Sequence, residues 1–347
     1  MVSFYFRGYM NKSVRTIFQY IFFLGLGIFL TWLSLKGLSK ENIAQIKLSL
    51  RNARYWLIIP VFIILFLSHF VRALRWKLLI QSLGYNPTNA NTFFAVMIGY
   101  LANQAFPRLG EVLKCTVLAR YEKIPADKLV GTIILERLVD AVTLLAIFGI
   151  TLAIQPQLYS QLMNTFFSQP DKIDNEKSGI PFWIVLLIVI AVVCLIIAIW
   201  MLVKKKKPAD VFQAIKKIWH SIIQGVSAVK HLRQPKLFIF YSLALWTLYL
   251  SGGYLGFMAL QETTIYGIRE AFTVLSAGSI GMMATPGGIG AYAYMIKGTM
   301  QLYGLNSIIA LAFGWILWLA QTAVILIGGI VSFAALPYYN KKRIVSE

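Results

Sequence analysis

The residues of this sequence best placed to do chemistry are charges set inside apolar stretches. Glu136-Arg137-Leu138-Val139-Asp140 begins seven residues into an apolar stretch over 129–154, roughly 10 Å along a helix that rises 1.5 Å per residue. In hydrocarbon each such charge costs several kcal/mol unless it is paired or wet. Arg137 and Asp140, three residues apart, can pair on one helix face while Glu136 turns to a neighbouring element. His69, Arg72 and Arg75 recur every third residue towards the end of a second apolar stretch, 56–80. Of these, Arg75, like Lys77 beyond it, is expected to snorkel to the headgroups. Arg108 and Glu111 follow Pro107 between the two stretches. Arg108, Glu111, Glu136, Arg137 and Asp140 are expected to meet, with Arg72 close by. Such a cluster serves structural ion pairing and phosphate binding alike, because a buried Arg held by carboxylates is preorganised to meet a phosphate.

The second chemical feature is backbone. Pro286-Gly287-Gly288-Ile289-Gly290 breaks an apolar stretch, since Pro286 lacks an amide donor and glycines adopt dihedrals that other residues resist. A helix starting near Gly290 would point a partial positive charge of about +0.5 at a ligand, with the Gly287 and Gly288 amides free to approach a phosphate. A glycine-rich packing contact between helices is the competing reading. Cys115 and Cys194 lie in apolar surroundings without a CxxC or a His-rich neighbour. The expected site therefore has no catalytic residue, no metal and no cofactor.

The elements that must position these residues are helices in a membrane. Of the 347 residues 58% are hydrophobic and 13% charged, far from the averages of soluble domains. About 20 apolar residues cross a bilayer core, which predicts spans near 17–35, 56–80, 129–154, 181–203, 237–260 and 306–336. The net charge of +20 gathers beside apolar runs, as membrane topology requires, so nucleic acid is not expected as a partner. The segment 204–236 carries nine Lys/Arg against Asp210 alone, and Lys341-Lys342-Arg343 follows the last span; both, with the basic N-terminus, are expected in the cytoplasm. The segments 155–180 and 261–270 are acidic enough to lie outside. Lys40, Lys47, Arg51 and Arg54 then also fall outside, against the positive-inside tendency.

This topology is satisfied only if 91–121 enters and leaves on the inner side and 271–303 on the outer. The fold expected is all-α, a single polytopic membrane helix bundle over 1–347 with two re-entrant helical hairpins. Residues 56–154 and 237–336 form an inverted repeat, an arrangement that places broken helices around a midplane site. Apolar residues recurring at helical spacing between Val211 and Val229 predict a cytoplasmic amphipathic helix at about 208–233.

Four motifs in order, Ala73-Leu74-Arg75-Trp76-Lys77-Leu78-Leu79, Asn103 through Pro107-Arg108-Leu109-Gly110-Glu111, Glu136-Arg137-Leu138-Val139-Asp140 and Pro286-Gly287-Gly288-Ile289-Gly290, resemble the lysylphosphatidylglycerol synthase transmembrane-region family of flippase-like membrane proteins. The resemblance runs from about 15 to 340. It implies a bundle with re-entrant segments that moves or handles lipids in the cytoplasmic membrane. Two departures stand out: Pro107 and Arg108 are adjacent where the family often has an intervening residue, and Ala293 stands where it often has Glu. No soluble aminoacyltransferase domain is expected, so lysyl transfer is not the expected activity. The leading function is translocation of a lipid with an anionic or phosphate-containing headgroup, by a protein that is not an enzyme and is free to self-associate. A lipid-modifying transferase and a non-transporting partner of a lipid-synthesis complex are the alternatives.

Overall fold

A computed structural model of the chain describes residues 24–33, 35–36, 39–106, 109–155 and 232–346, with side chains to Lys341. The described residues are helical, with short 3-10 turns and no strand. The helices are α1 (Leu24–Leu33), α2 (Lys40–Arg51), α3 (Ile58–Gln81), α4 (Asn89–Ala105), α5 (Leu109–Glu122), α6 (Ala126–Ile154), α7 (Pro235–Phe257), α8 (Ile268–Ala284), α9 (Ala291–Leu302) and α10 (Ser307–Ser346). Among the described residues, four segments are long and apolar enough to cross a membrane: Tyr55–Gln81, Ala126–Ile154, Pro235–Phe257 and Ser307–Lys341. They coincide with four of the expected spans. The expected span at 181–203 and the amphipathic helix at 208–233 lie outside the described residues, apart from the last two residues of the latter.

The chain falls into two compact units, one running to Arg137 and resuming at Leu232, the other beginning at Leu138. In the second, the described residues continue α6, whose Thr143 and Thr151 hydroxyls donate to the carbonyls of Val139 and Ile147. The two hairpins described next and the helices that pack on them belong to the first unit.

Two helical hairpins, α4–α5 and α8–α9, are broken by one device. Phe106, before Pro107, is extended (φ −133°, ψ 118°), and so is Thr285, before Pro286 (φ −136°, ψ 160°). The proline ring disfavours the helical region for the residue preceding it, so α4 and α8 stop there. After α8 a 3-10 turn, Pro286–Gly288, leads to α9, with Gly287, Gly288 and Gly290 at positive φ. The expected break is thus present. Within each hairpin the helices touch through glycine: the Gly99 Cα faces the Gly110 carbonyl, and Gly278 and Gly281 lie against Tyr292.

The outer ends of each hairpin are tied together. Glu122, ending α5, accepts hydrogen bonds from the Thr88 hydroxyl (2.7 Å) and the Asn91 amide (2.6 Å) at the start of α4. Tyr303, just after α9, bonds Thr273 of α8 at 2.7 Å. Asn91 and Asn340 exchange a reciprocal pair of amide bonds at 2.9 and 2.8 Å, joining α4 to α10. Ser82, after α3, accepts from the Arg233 amide at 3.2 Å. The Arg54 amide donates to the Ala259 carbonyl at 2.9 Å and the Ser49 hydroxyl to Glu262 at 2.5 Å.

α2 was not among the expected elements. Its start is capped by Ser39, whose hydroxyl accepts from the Asn42 amide. An apolar core lies among α7, α8, α9 and α10, where Phe257 stacks on Phe313 with ring centroids 5.3 Å apart, in one cluster with Leu260, Val274 and Ile296. α10 also meets α4, Gly328 and Gly329 receiving Met97 and Leu101. The same helix therefore backs both hairpins.

Candidate functional site

Glu136 is fully buried and stands at the centre of three cations. Arg72 Nη1 lies 3.2 Å from its Oε1, Arg75 Nη2 3.4 Å from the same oxygen, and Lys114 Nζ 2.9 Å from Oε2. The spacing on α3 explains the first two, since residues three apart share a helix face. Three-residue spacing puts His69 on that face as well, where it is buried with its ring 5.0 Å from Tyr100 of α4. Lys114 arrives from α5 and Glu136 from α6, as expected of a carboxylate turned to its neighbours.

Aromatic groups line the cluster. Arg72 Nη2 donates to the Tyr249 hydroxyl of α7 at 3.2 Å, and its guanidinium lies 5.9 Å from the Tyr100 ring and 6.0 Å from that of Tyr249. The Lys114 ammonium sits 4.5 Å over Trp76, whose indole donates to Thr132 at 2.8 Å. The Arg75 guanidinium is 5.8 Å from the Phe238 ring. These faces attract cations while excluding water, which strengthens each charge interaction they enclose.

The expectation that Arg75 snorkels is overturned. Arg75 is fully buried and bonded to Glu136, because the face it shares with Arg72 points into the bundle. Lys77 lies two residues on, a different direction on a helix, and donates to Asn89 in a more exposed place.

A second pair lies nearer the surface. Arg137 Nε donates to Glu111 Oε1 at 3.1 Å, with the two side chains 43% and 38% exposed. Glu111 and Arg137, together with Lys114, Tyr100 and Asn103, line a narrow cleft between α4 and α5 of about 10 Å³, room for about one water. Asn103 Oδ1 accepts from the Gly110 amide at 2.8 Å, closing the cleft at that end. Of the sequence-expected residues, the structure brings together Arg72, Glu111, Glu136 and Arg137. Asp140 sits one turn beyond Glu136 on α6, half-buried. Arg108 and Pro107 lie outside the described residues. Lys114 was missed; it stands three residues after Glu111, the spacing that puts both on one face.

The glycine turn is a separate structure, reached through α4. A Cβ on Gly287 would strike the Gln104 side chain of that helix, and Gln104 lies one turn from Tyr100, about 6 Å along the axis. Trp318 of α10 donates to the Gly287 carbonyl at 2.8 Å. The Gly288 amide is already bonded to the Thr285 carbonyl at 3.0 Å, so a phosphate would have to compete for it. α1 also packs on the turn, its Gly27 close to Ile289 and Gly290.

Residues 19–329 match the family described as the lysylphosphatidylglycerol synthase TM region. The chain belongs to this family. Its four motifs fall within the matched residues, and with its apolar helices they make this a membrane protein of a family linked to lipid handling. The family member also matches the UPF0104 membrane protein MJ1595 of Methanocaldococcus jannaschii, 31% identical over 86 residues. That match spans 24% of this chain and about a quarter, 26%, of the archaeal protein. No solved structure matches the chain.

Proposed function

We propose that this protein translocates a lipid bearing an anionic, phosphate-containing headgroup across the cytoplasmic membrane, without covalent chemistry and without a cofactor. The observation that carries this reading is the buried cluster of Arg72, Arg75 and Lys114 around Glu136. Charge at that depth is too costly to keep for packing alone, and such residues in membrane helices mark a substrate path.

The proposed path runs between the two hairpins, read as re-entrant. The helices α4, α5, α8 and α9 have 17, 14, 17 and 12 residues, short of the roughly 20 that cross a bilayer. The tie between Glu122 and the start of α4, and that between Tyr303 and α8, support a return of each hairpin to the side it entered. Contact of Gln104 with Gly287 brings the two broken ends together, as in inverted repeats with a midplane site. In this arrangement the N- and C-termini are cytoplasmic.

The test is translocation in vesicles of phosphatidylcholine holding the purified protein and a trace of headgroup-labelled fluorescent phosphatidylglycerol, with dithionite added to bleach the outer leaflet. Loss of more than half the fluorescence, dependent on protein and absent with Glu136→Ala, is the expected result. Bleaching equal to that of protein-free vesicles would overturn the proposal. A change in the mass of the phosphatidylglycerol would point to a transferase instead.

A further inference from the structure

We infer that the cleft between α4 and α5 is a phosphoryl-binding site in which Lys114 and Arg137 form a two-cation clamp, with Glu136 and Glu111 as built-in occupants that the phosphate displaces. This rests on the reading of the protein as a handler of anionic lipid. The two cations come from different helices, both line the cleft, and each is held by one carboxylate at 2.9 or 3.1 Å. The cleft has no room for a phosphate beside those carboxylates, so binding is an exchange of one anion for another.

The exchange is cheap on both sides. Glu136 that gives up Lys114 keeps Arg72 and Arg75, so no buried carboxylate is left unpaired, which is the costly outcome. Glu111 is 38% exposed, and a carboxylate released there returns to water, where a pair contributes little. Lys114 is the cation suited to move: its ammonium is a point charge on a flexible stem, whereas a guanidinium is fixed by its fork of donors. Arg75 is fully buried and does not border the cleft. Tyr100 and Asn103 on the walls supply neutral hydrogen-bonding groups for the remaining phosphate oxygens. The absence of a side chain at Gly99 keeps the path of Lys114 open, since a Cβ there would lie 3.0 Å from the Lys114 Cβ.

Association of spin-labelled phosphatidylglycerol and spin-labelled phosphatidylcholine with the full chain in phosphatidylcholine nanodiscs tests the clamp. The wild type is expected to prefer phosphatidylglycerol. Lys114→Gln and Arg137→Gln should each weaken that preference about tenfold, as loss of one charged hydrogen bond implies, and Lys114→Arg should keep most of it. Should Lys114→Gln fail to fold, Arg137→Gln carries the test, because its half-exposed pair is not needed for folding. Wild-type affinity in a folded Arg137→Gln protein would overturn the clamp while leaving the anionic-lipid reading intact. No preference for phosphatidylglycerol in the wild type would overturn that reading, and the clamp with it. Retention of the labelled lipid against excess glycerol phosphate is expected for a lipid-borne phosphate; its displacement would overturn that source in favour of a free phosphate.

Discussion

Glu136 Oε2 sits 2.9 Å from Nζ of Lys114 across two different helices, and this contact ties a buried charge centre to a cleft that opens beside it. Glu136 holds Arg72 and Arg75 as well, so α3, α5 and α6 share one counter-ion. Removing Glu136 from this set leaves three buried cations to repel one another, whereas removing a member of a surface pair leaves its partner in water.

Glu136→Gln is therefore expected to cost far more than Arg137→Ala. Breaking a buried pair costs roughly 3–5 kcal/mol, against about 0–1 kcal/mol for an exposed one, and the Arg137–Glu111 pair is 43% and 38% exposed. Thermal unfolding in detergent, followed by monodispersity on gel filtration, measures both. Equal losses would show that the cluster around Glu136 reaches water after all.

Topology can be read by labelling. Gln261 is exposed near the Ser49–Glu262 contact, and Asn86 is exposed near the Ser82–Arg233 contact. With Cys115 and Cys194 replaced by Ser, a cysteine at Gln261 should react with a membrane-impermeant maleimide in intact cells, and one at Asn86 only after permeabilisation. Reaction of both from one side would end the inverted-repeat reading, because the two hairpins would then not open to opposite faces.

The glycine turn should tolerate little. Gly287 has φ +58°, and a Cβ there would meet the Gln104 side chain of α4, so Gly287→Ala meets strain and a clash at once. A loss of at least about 1–3 kcal/mol is expected from the dihedral alone. Gly298, helical and with nothing within 4 Å of its virtual Cβ, should instead gain about 0.5–1 kcal/mol on replacement by Ala. Melting temperatures of the two variants should move in opposite directions. A Val at Gly288 would likewise unfold the turn, its φ being +71° with Met282 Sδ 2.5 Å from the added carbon. That substitution therefore reports on folding and not on cargo.

Much of this was legible in the sequence because hydropathy and proline act locally. The four long helices follow from runs of apolar residues, and the ends of α4 and α8 follow from Phe106-Pro107 and Thr285-Pro286. What escaped was set by which way a face turns. Arg75 and Lys77 differ by two residues in the same apolar stretch, and only the way α3 turns in the bundle, packed on α7 and α4 with Arg75 reaching Glu136, separates the buried Arg75 from the more exposed Lys77. Lys114, followed by Arg120 in a helix of mixed polarity, looks like one more inner-side base. α2 had a readable start in Ser39-Lys40-Glu41-Asn42, a Ser at the cap position with an acid in the first turn, but it is too polar to register as a span.

The last expectation concerns the approach of α4 and α5. A Cβ at Gly99 would lie 2.8 Å from the Gly110 carbonyl oxygen and 3.0 Å from the Lys114 Cβ. The first of these is backbone and cannot rotate away, so the helices must separate. Gly131 on α6 has nothing within 4 Å, and its replacement by Ala gains helix propensity without cost, about 0.5–1 kcal/mol. Gly99→Ala gains the same propensity and then loses more, because parting α4 from α5 draws Lys114 away from Glu136 and stretches the Asn103–Gly110 bond. Its melting temperature should fall below wild type while that of Gly131→Ala rises. A Gly99→Ala protein as stable as the Gly131→Ala protein would mean that α4 and α5 have slack between them, and that the position of Lys114 is not set by their contact.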